Sequence, residues 1–312
     1  MSETSRRQFL RQCGSGVAGI LTAPRLSGLA TSQPSIRFPA SPRERVAVSS
    51  YPFREFIAGS DHKTGNPTIE LKEFAAHVVE RFEIHRIEPW SAHMPSTNPQ
   101  YLAEFRAAVE KARAAVVNVA ADGEHSPYAL DTSERQAAIA FAKQWVEVAV
   151  AIGSPSIRMN IPPANDAKPD VGRLAESLRR VVEYASARNV VVHLENDNPV
   201  SEDPFFLVQV IQTVNSPWLH ALPDFGNTLS AHEEDYAYRA IDAMFRHAYG
   251  ICHVKDGEVD EQGKATHVDL ERTFATLRRD GYKGYCSIEY DAPGDPYKMT
   301  AKLIDQTVTH LS

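Results

Sequence analysis

Short apolar runs that end in polar or turn residues recur eight times along this chain, at Arg45–Ser50, Ile84–Glu88, Ala115–Ala120, Ser156–Asn160, Val190–Glu195, Leu219–Asp224, Gly250–Val254 and Tyr285–Glu289. Their starts lie about 30–40 residues apart, and the stretches between them carry helical periodicity. Ile69, Phe74, Val78 and Phe82 fall on one such face, and Ala137, Phe141, Trp145, Val148 and Ile152 on another. Alternating strands and helices of this length build a parallel sheet, and eight units predict an α/β chain closed into a single (β/α)8 TIM barrel over residues 45–312. A doubly wound open sheet would carry a glycine-rich first turn, which is missing after Ser50. Local punctuation agrees. Asp203-Pro204 reads as an N-cap before a first-turn proline, Ser230-x-x-Glu233 as a capping box, and Gly153 and Gly281 as helix stops.

The first residues read as an address. Ser5-Arg6-Arg7-Gln8-Phe9-Leu10, followed by a small-residue apolar run from Cys13 to Leu21, has the layout of an export signal over residues 1–30. The string resembles the twin-arginine signal, which implies delivery of a folded protein to the periplasm. Gly14-Ser-Gly16-Val-Ala-Gly19 spells a dinucleotide fingerprint, but no strand precedes it. Residues 31–44, rich in proline, read as a linker. The net charge is -7, and about -10 once the signal is set aside, which argues against a nucleic-acid partner. No run of about 18 apolar residues offers a membrane span. Three cysteines with no CxxC pair give neither a disulfide framework nor a zinc knuckle, and neither a GxSxG elbow nor a P-loop occurs.

Chemistry in such barrels gathers at the C-terminal ends of the strands. The fifth strand closes on His193-Leu194-Glu195, the sixth on Leu-Pro-Asp224-Phe-Gly-Asn227, the seventh on Cys-His253-Val-Lys255 and the eighth on Ser-Ile-Glu289. Glu195, Asp224, His253 and Glu289 are each about one βα unit apart, so all four can face one mouth. Three carboxylates there would repel one another without a cation. Oxygen donors with one imidazole suit a divalent ion, Mn²⁺ before Mg²⁺, Co²⁺ or Zn²⁺.

The segments HLENDNP, LPDFGN, CHVKDG and GYKGYCSIEY resemble the xylose-isomerase-like barrel superfamily of sugar isomerases and epimerases over roughly residues 45–310. The resemblance implies that Glu195, Asp224, His253 and Glu289 hold one divalent metal. Two positions depart from the ketose epimerases: Asn227 stands where they often have histidine, and the region of Val259 lacks their arginine. Several further residues are candidates for substrate contact. Strand alternation puts Lys255 and His193 on the inner face with the metal residues. Lys255 can hold a substrate oxygen, take part in proton transfer or pair with Asp256. Glu88, Arg158, Asn160 and Asn227 sit at strand ends, His93 lies near Glu88, and Tyr51, Phe53 and Trp90 can wall a sugar face. His232–Asp235 reads as the solvated first turn of a helix. Cys252 and Cys286 should point outward as buried thiols.

The expected activity is a metal-dependent isomerase or epimerase of a sugar or polyol ketone. Glu195 and Glu289, with Lys255, would exchange protons with the substrate while a metal stabilises an enediolate. The alternative is a lyase or dehydratase that uses the same enolate on an inosose or a 3-keto-glycoside. The expected partner is a small carbohydrate, together with further copies of the chain should it assemble as a homo-oligomer.

Overall fold

The computed structural model describes residues 33–59, 68–259 and 264–312. The predicted export signal and the glycine fingerprint lie outside these residues.

Nine parallel segments make the eight staves of a closed barrel. They are β1 (Val46–Ser49), β2 (Arg86–Glu88), β3 (Ala115–Val116), β4 (Val119–Ala121), β5 (Ser156–Met159), β6 (Val191–Glu195), β7 (Leu219–Leu222), β8 (Ile251–Val254) and β11 (Tyr285–Ile288). Ladders run in the orders β3-β2-β1-β11-β8 and β4-β5-β6-β7. Single bridges Trp90–Ala120 and Asp224–His253 close the two seams between them. The predicted third strand is therefore broken at Val117-Asn118. There Ser156 Oγ donates to Val117 O (3.0 Å) and to Asn118 Oδ1 (2.6 Å), which replaces ladder bonds with side-chain bonds.

Helices α1 (Leu71–Phe82), α2 (Pro99–Lys111), α3 (Thr132–Ile152), α4 (Val171–Ser186), α5 (Pro204–Val214), α6 (Asn227–Ala231), α7 (Glu234–Phe245), α8 (Leu270–Arg279) and α9 (Pro296–Leu311) surround the staves. The main core lies between the two layers, where outward strand residues such as Val48, Ile157 and Val192 meet Phe74, Leu178 and Val210. Cys252 and Cys286 belong to this layer, their sulfurs 3.8 Å apart across β8 and β11. Two caps act as the sequence implies: Asp203 accepts from Phe206 N (3.0 Å), and Gly153 takes φ +79° after α3. The predicted capping box does not form. Ser230 sits inside α6, where its hydroxyl donates to Asn227 O (2.8 Å), and Glu233 itself occupies the N-cap position of α7. His232 accordingly ends α6 rather than starting a helix. An antiparallel hairpin of β9 (Gly257–Val259) and β10 (Ala265–His267) follows β8, and nothing in the strand pattern announced it.

Residues 33–42, read as a linker, have no helix or strand, but Ile36 and Phe38 pack against the lumenal floor of Ala47, Val117, Leu222, Ile251 and Tyr285. Phe38 meets Tyr249 and Tyr285 edge-on at 5.4 and 5.6 Å. His193 lies in the lumen one layer below Glu195, in register with Arg158 and His220. Its ring fills space that Gly250 leaves open, since a Cβ at Gly250 would lie 2.7 Å from the imidazole. Gly250→Ala is therefore expected to lower stability by about 1–3 kcal/mol through overpacking, read as a lower urea midpoint with an unchanged m-value.

Candidate metal centre and active site

Backbone ladders set the four predicted residues before any side chain acts. His253 N donates to Pro223 O (3.0 Å), Phe225 N to His253 O (3.2 Å) and Glu289 N to Val254 O (3.1 Å), which locks three neighbouring strand ends in register. The side chains of Glu195, Asp224, His253 and Glu289 are all buried, and one ligand atom from each lies within 4.8 Å of the others. His253 Nδ1 is 2.6 Å from Glu195 Oε1, 3.1 Å from Glu289 Oε2 and 3.9 Å from Asp224 Oδ2.

Three of these four side chains are oriented by a neighbour that hydrogen-bonds the far side. Asp224 Oδ1 accepts from Gly226 N and Asn227 N, both at 2.8 Å, which leaves Oδ2 buried without a hydrogen bond. Asn196 clamps the same residue through its backbone, accepting from Asp224 N (2.8 Å) and donating to Asp224 O (3.1 Å). Ser49 Oγ donates to Glu289 Oε1 at 3.4 Å. Glu88 stands behind His253, 3.0 Å from Nε2, and is itself held by Asn118 Nδ2 at 2.7 Å. A carboxylate on the far nitrogen of a ligating imidazole fixes its tautomer and raises its basicity. Glu88 is thus a positioning residue for His253, not the sugar-hydroxyl contact expected from its strand-end place.

The electrostatics are those of a site built around positive charge. Burial alone would lower the His253 pKa, but Glu195, Glu289 and Glu88 outweigh it and raise the value well above the usual imidazole range. Lys255 is likewise raised, as Asp224, Glu289 and Glu258 overcome its desolvation. Burial pushes the Asp224 carboxyl up to about 6 against the pull of Lys255. Burial also raises Glu195 despite His253 and Arg158. In Glu289 the same burial is overcome by His253 and Lys255, and the carboxyl falls below its ordinary range. Asp224 Oδ2, buried without a hydrogen bond, and the carboxylates of Glu195 and Glu289 beside one imidazole nitrogen make a donor set that fits a hard or borderline divalent cation.

A chamber of about 140 Å³ opens above these residues, lined by Arg158, Glu195, Asn227, Lys255 and Glu289 together with Tyr51, Trp90, Asp122, Asp197, Glu258 and Asp291. Lys255 Nζ donates to Asn227 Oδ1 (2.8 Å) and lies 3.5 Å from both Asp224 and Glu289. Asp256, the partner weighed for it, pairs with Lys302 instead (3.6 Å). Arg158 is paired to Asp122 and, at 2.8 Å, to Glu195. Tyr51 and Trp90 meet edge-to-face at 5.2 Å and form the apolar wall.

Four expected contacts lie elsewhere. His193 is a layer too deep, and Phe53 packs in the core on Phe74 and Tyr297. Asn160 is tied to Gly123, accepting from its N (2.8 Å) and donating to its O (3.1 Å). His93 bonds Ser50 Oγ at 2.9 Å. Asp122, Asp197, Glu258 and Asp291 escaped the sequence reading because each stands in a loop or hairpin past a strand end, where spacing carries no facing information.

Comparison with known proteins gives a family and a fold. The family model described as xylose isomerase-like TIM barrel matches residues 71–307. L-ribulose-5-phosphate 3-epimerase UlaE of Escherichia coli O139:H28 is 31% identical over 140 residues, which are 43% of this chain and 48% of that protein. The chain thus spans about half the length of the curated relatives it matches. Among solved structures, D-allulose 3-epimerase from Methylomonas sp. superposes with a TM-score of 0.67 at 12% identity, over 88% of this chain and 100% of the other. A xylose isomerase-like TIM barrel protein from Mycobacterium smegmatis, in complex with magnesium, gives 0.66 at 15% identity over 85% and 96%. Glu88→Gln is expected to weaken Mn²⁺ or Mg²⁺ binding about 10–100-fold by calorimetric titration while all four ligands remain. An unchanged affinity would remove Glu88 from the metal centre.

Proposed function

The chain belongs to the xylose isomerase-like TIM barrel family, and we propose that it is a metal-dependent epimerase or isomerase of a sugar or polyol ketone. The observation that carries this reading is the pair Glu195 and Glu289. They stand at the two ends of a four-stave arc and converge on His253 Nδ1 from either side, at 2.6 and 3.1 Å. Epimerisation needs a base on one face of a carbon and an acid on the other. Their places on strands at the two ends of the arc suit one to accept a proton and the other to donate one. Two of the compared proteins carry the name of a sugar 3-epimerase, which supports the same class.

Glu195, Asp224, His253 and Glu289 would hold the ion, whose positive charge would stabilise negative charge developing on the substrate. Glu289, ionised, takes the proton from the carbon beside the carbonyl, and Glu195 returns one to the opposite face. Lys255, 2.8 Å from Asn227 Oδ1 and lining the chamber, would hold a substrate oxygen or take part in proton transfer. Arg158 keeps Glu195 aimed, and the Tyr51–Trp90 wall covers the apolar face of the sugar ring and keeps water off it.

Glu289→Gln is expected to abolish solvent-deuterium exchange at the substrate's α-carbon, followed by NMR over a panel of keto-sugars, while metal binding weakens but persists. Full exchange in that variant would overturn the role of Glu289. A product lighter by water or by an aglycone would replace epimerisation by elimination.

We propose further that the protein acts in the periplasm. Ser5-Arg6-Arg7-Gln8-Phe9-Leu10 supports this. The double variant Arg6→Lys, Arg7→Lys should hold the chain in the cytoplasm on fractionation, and a periplasmic location for that variant would refute the signal.

A further inference from the structure

We infer that the substrate of this chamber is an uncharged sugar and that phosphate esters of the same sugar are excluded by charge; this rests on the epimerase reading above and narrows it. The chamber wall carries six carboxylates, Asp122, Glu195, Asp197, Glu258, Glu289 and Asp291, against the two cations Arg158 and Lys255. Both cations are committed. Arg158 is paired to Asp122 and Glu195, and Lys255 stands within 3.5 Å of Asp224, Glu258 and Glu289. At the rim Arg54 lies 2.8 Å from Asp291 and over the ring of Tyr51. A divalent ion held by the four residues beneath would bring two positive charges against the three carboxylates of Glu195, Asp224 and Glu289.

The second observation concerns the helix starts. In a (β/α)8 barrel the amino ends of the helices ring the mouth, and their free N–H groups are the usual grip for phosphate. At six of the nine described helices one such N–H is already taken by a carboxylate of the chain. Asp131 accepts from Ser133 N (2.8 Å), Asp170 from Arg173 N (2.7 Å), Asp203 from Phe206 N (3.0 Å), Asp224 from Asn227 N (2.8 Å), Asp269 from Arg272 N (3.0 Å) and Asp295 from Tyr297 N (2.9 Å). A phosphate dianion arriving among the described residues would meet partly occupied helix donors and cations already paired within a wall where carboxylates outnumber them. A neutral polyol meets carboxylate acceptors for its hydroxyls and an aromatic wall for its C–H face. A cavity of about 140 Å³ is also of the order of one sugar ring.

The test compares one keto-sugar with its phosphate ester on the metal-loaded protein, by α-proton exchange and by calorimetric binding. The neutral sugar should be favoured about a hundredfold or more in kcat/KM and in affinity. That margin should shrink as salt rises, because screening weakens charge repulsion and leaves steric exclusion untouched. Asp197→Asn should shrink it severalfold by removing one repelling charge. A phosphate ester that reacts or binds better than the sugar would overturn the inference while leaving the epimerase reading intact. A margin indifferent to both salt and Asp197→Asn would also overturn it, since size would then be the cause. If neither compound exchanges its proton, the epimerase reading falls, and the binding ratio alone still decides the charge rule.

Discussion

Several carboxylates buried in one small volume is the arrangement on which this molecule turns. Ionised carboxyl groups at such distances in a water-poor barrel mouth repel strongly, and each also loses its hydration. The structure answers with positive charge from every direction: an imidazole among three carboxylates, Lys255 against Asp224, Glu258 and Glu289, and Arg158 against Asp122 and Glu195. The network leaves Asp224 Oδ2 buried with no hydrogen bond, and Asp224 is a proposed ligand of the cation.

The scaffold makes such crowding tolerable because rigidity comes from the backbone rather than from the charges. Ladder bonds join Pro223, Phe225, His253, Val254 and Glu289 directly, so the strand ends cannot drift apart to relieve repulsion. Neutral amides then do the aiming. Asn196 grips both backbone groups of Asp224, Asn118 holds Glu88, and Glu88 holds the far nitrogen of His253. Amides can orient carboxylates and imidazoles without adding to the charge they must hold, which explains their place one step behind the ligands. The barrel's opposite end is closed by apolar contacts, with Phe38 and Ile36 under the lumenal floor, so the two ends of the fold serve separate needs.

The same strand-end logic that grouped Glu195, Asp224, His253 and Glu289 misplaced some of their neighbours. Alternation correctly turned Glu195, Asp224, His253 and Glu289 inward, since period two is a local property of an extended chain. It could not say how deep a residue sits, so His193 shares that inward face yet lies a layer below the chamber. Nor could it say what a side chain finds on arrival: Asn160 meets the backbone of Gly123, and Glu88 meets an imidazole. Ser230-x-x-Glu233 matched a capping pattern, but the turn after Asp224 winds one residue run earlier into α6 and uses Asp224 itself as its anchor.

The sequence alone determined the number and order of the staves, the closed barrel they imply, and the four residues that meet at its mouth. Each of these follows from periodicity and spacing along the chain. Only the tertiary structure decided the break in the third stave, the hairpin after β8, the second row of amides and the acidic ring of Asp122, Asp197, Glu258 and Asp291. Apart from the hairpin, whose strands are neighbours in sequence, those features depend on which residues distant in sequence come to face one another, and a one-dimensional pattern holds no record of that distance.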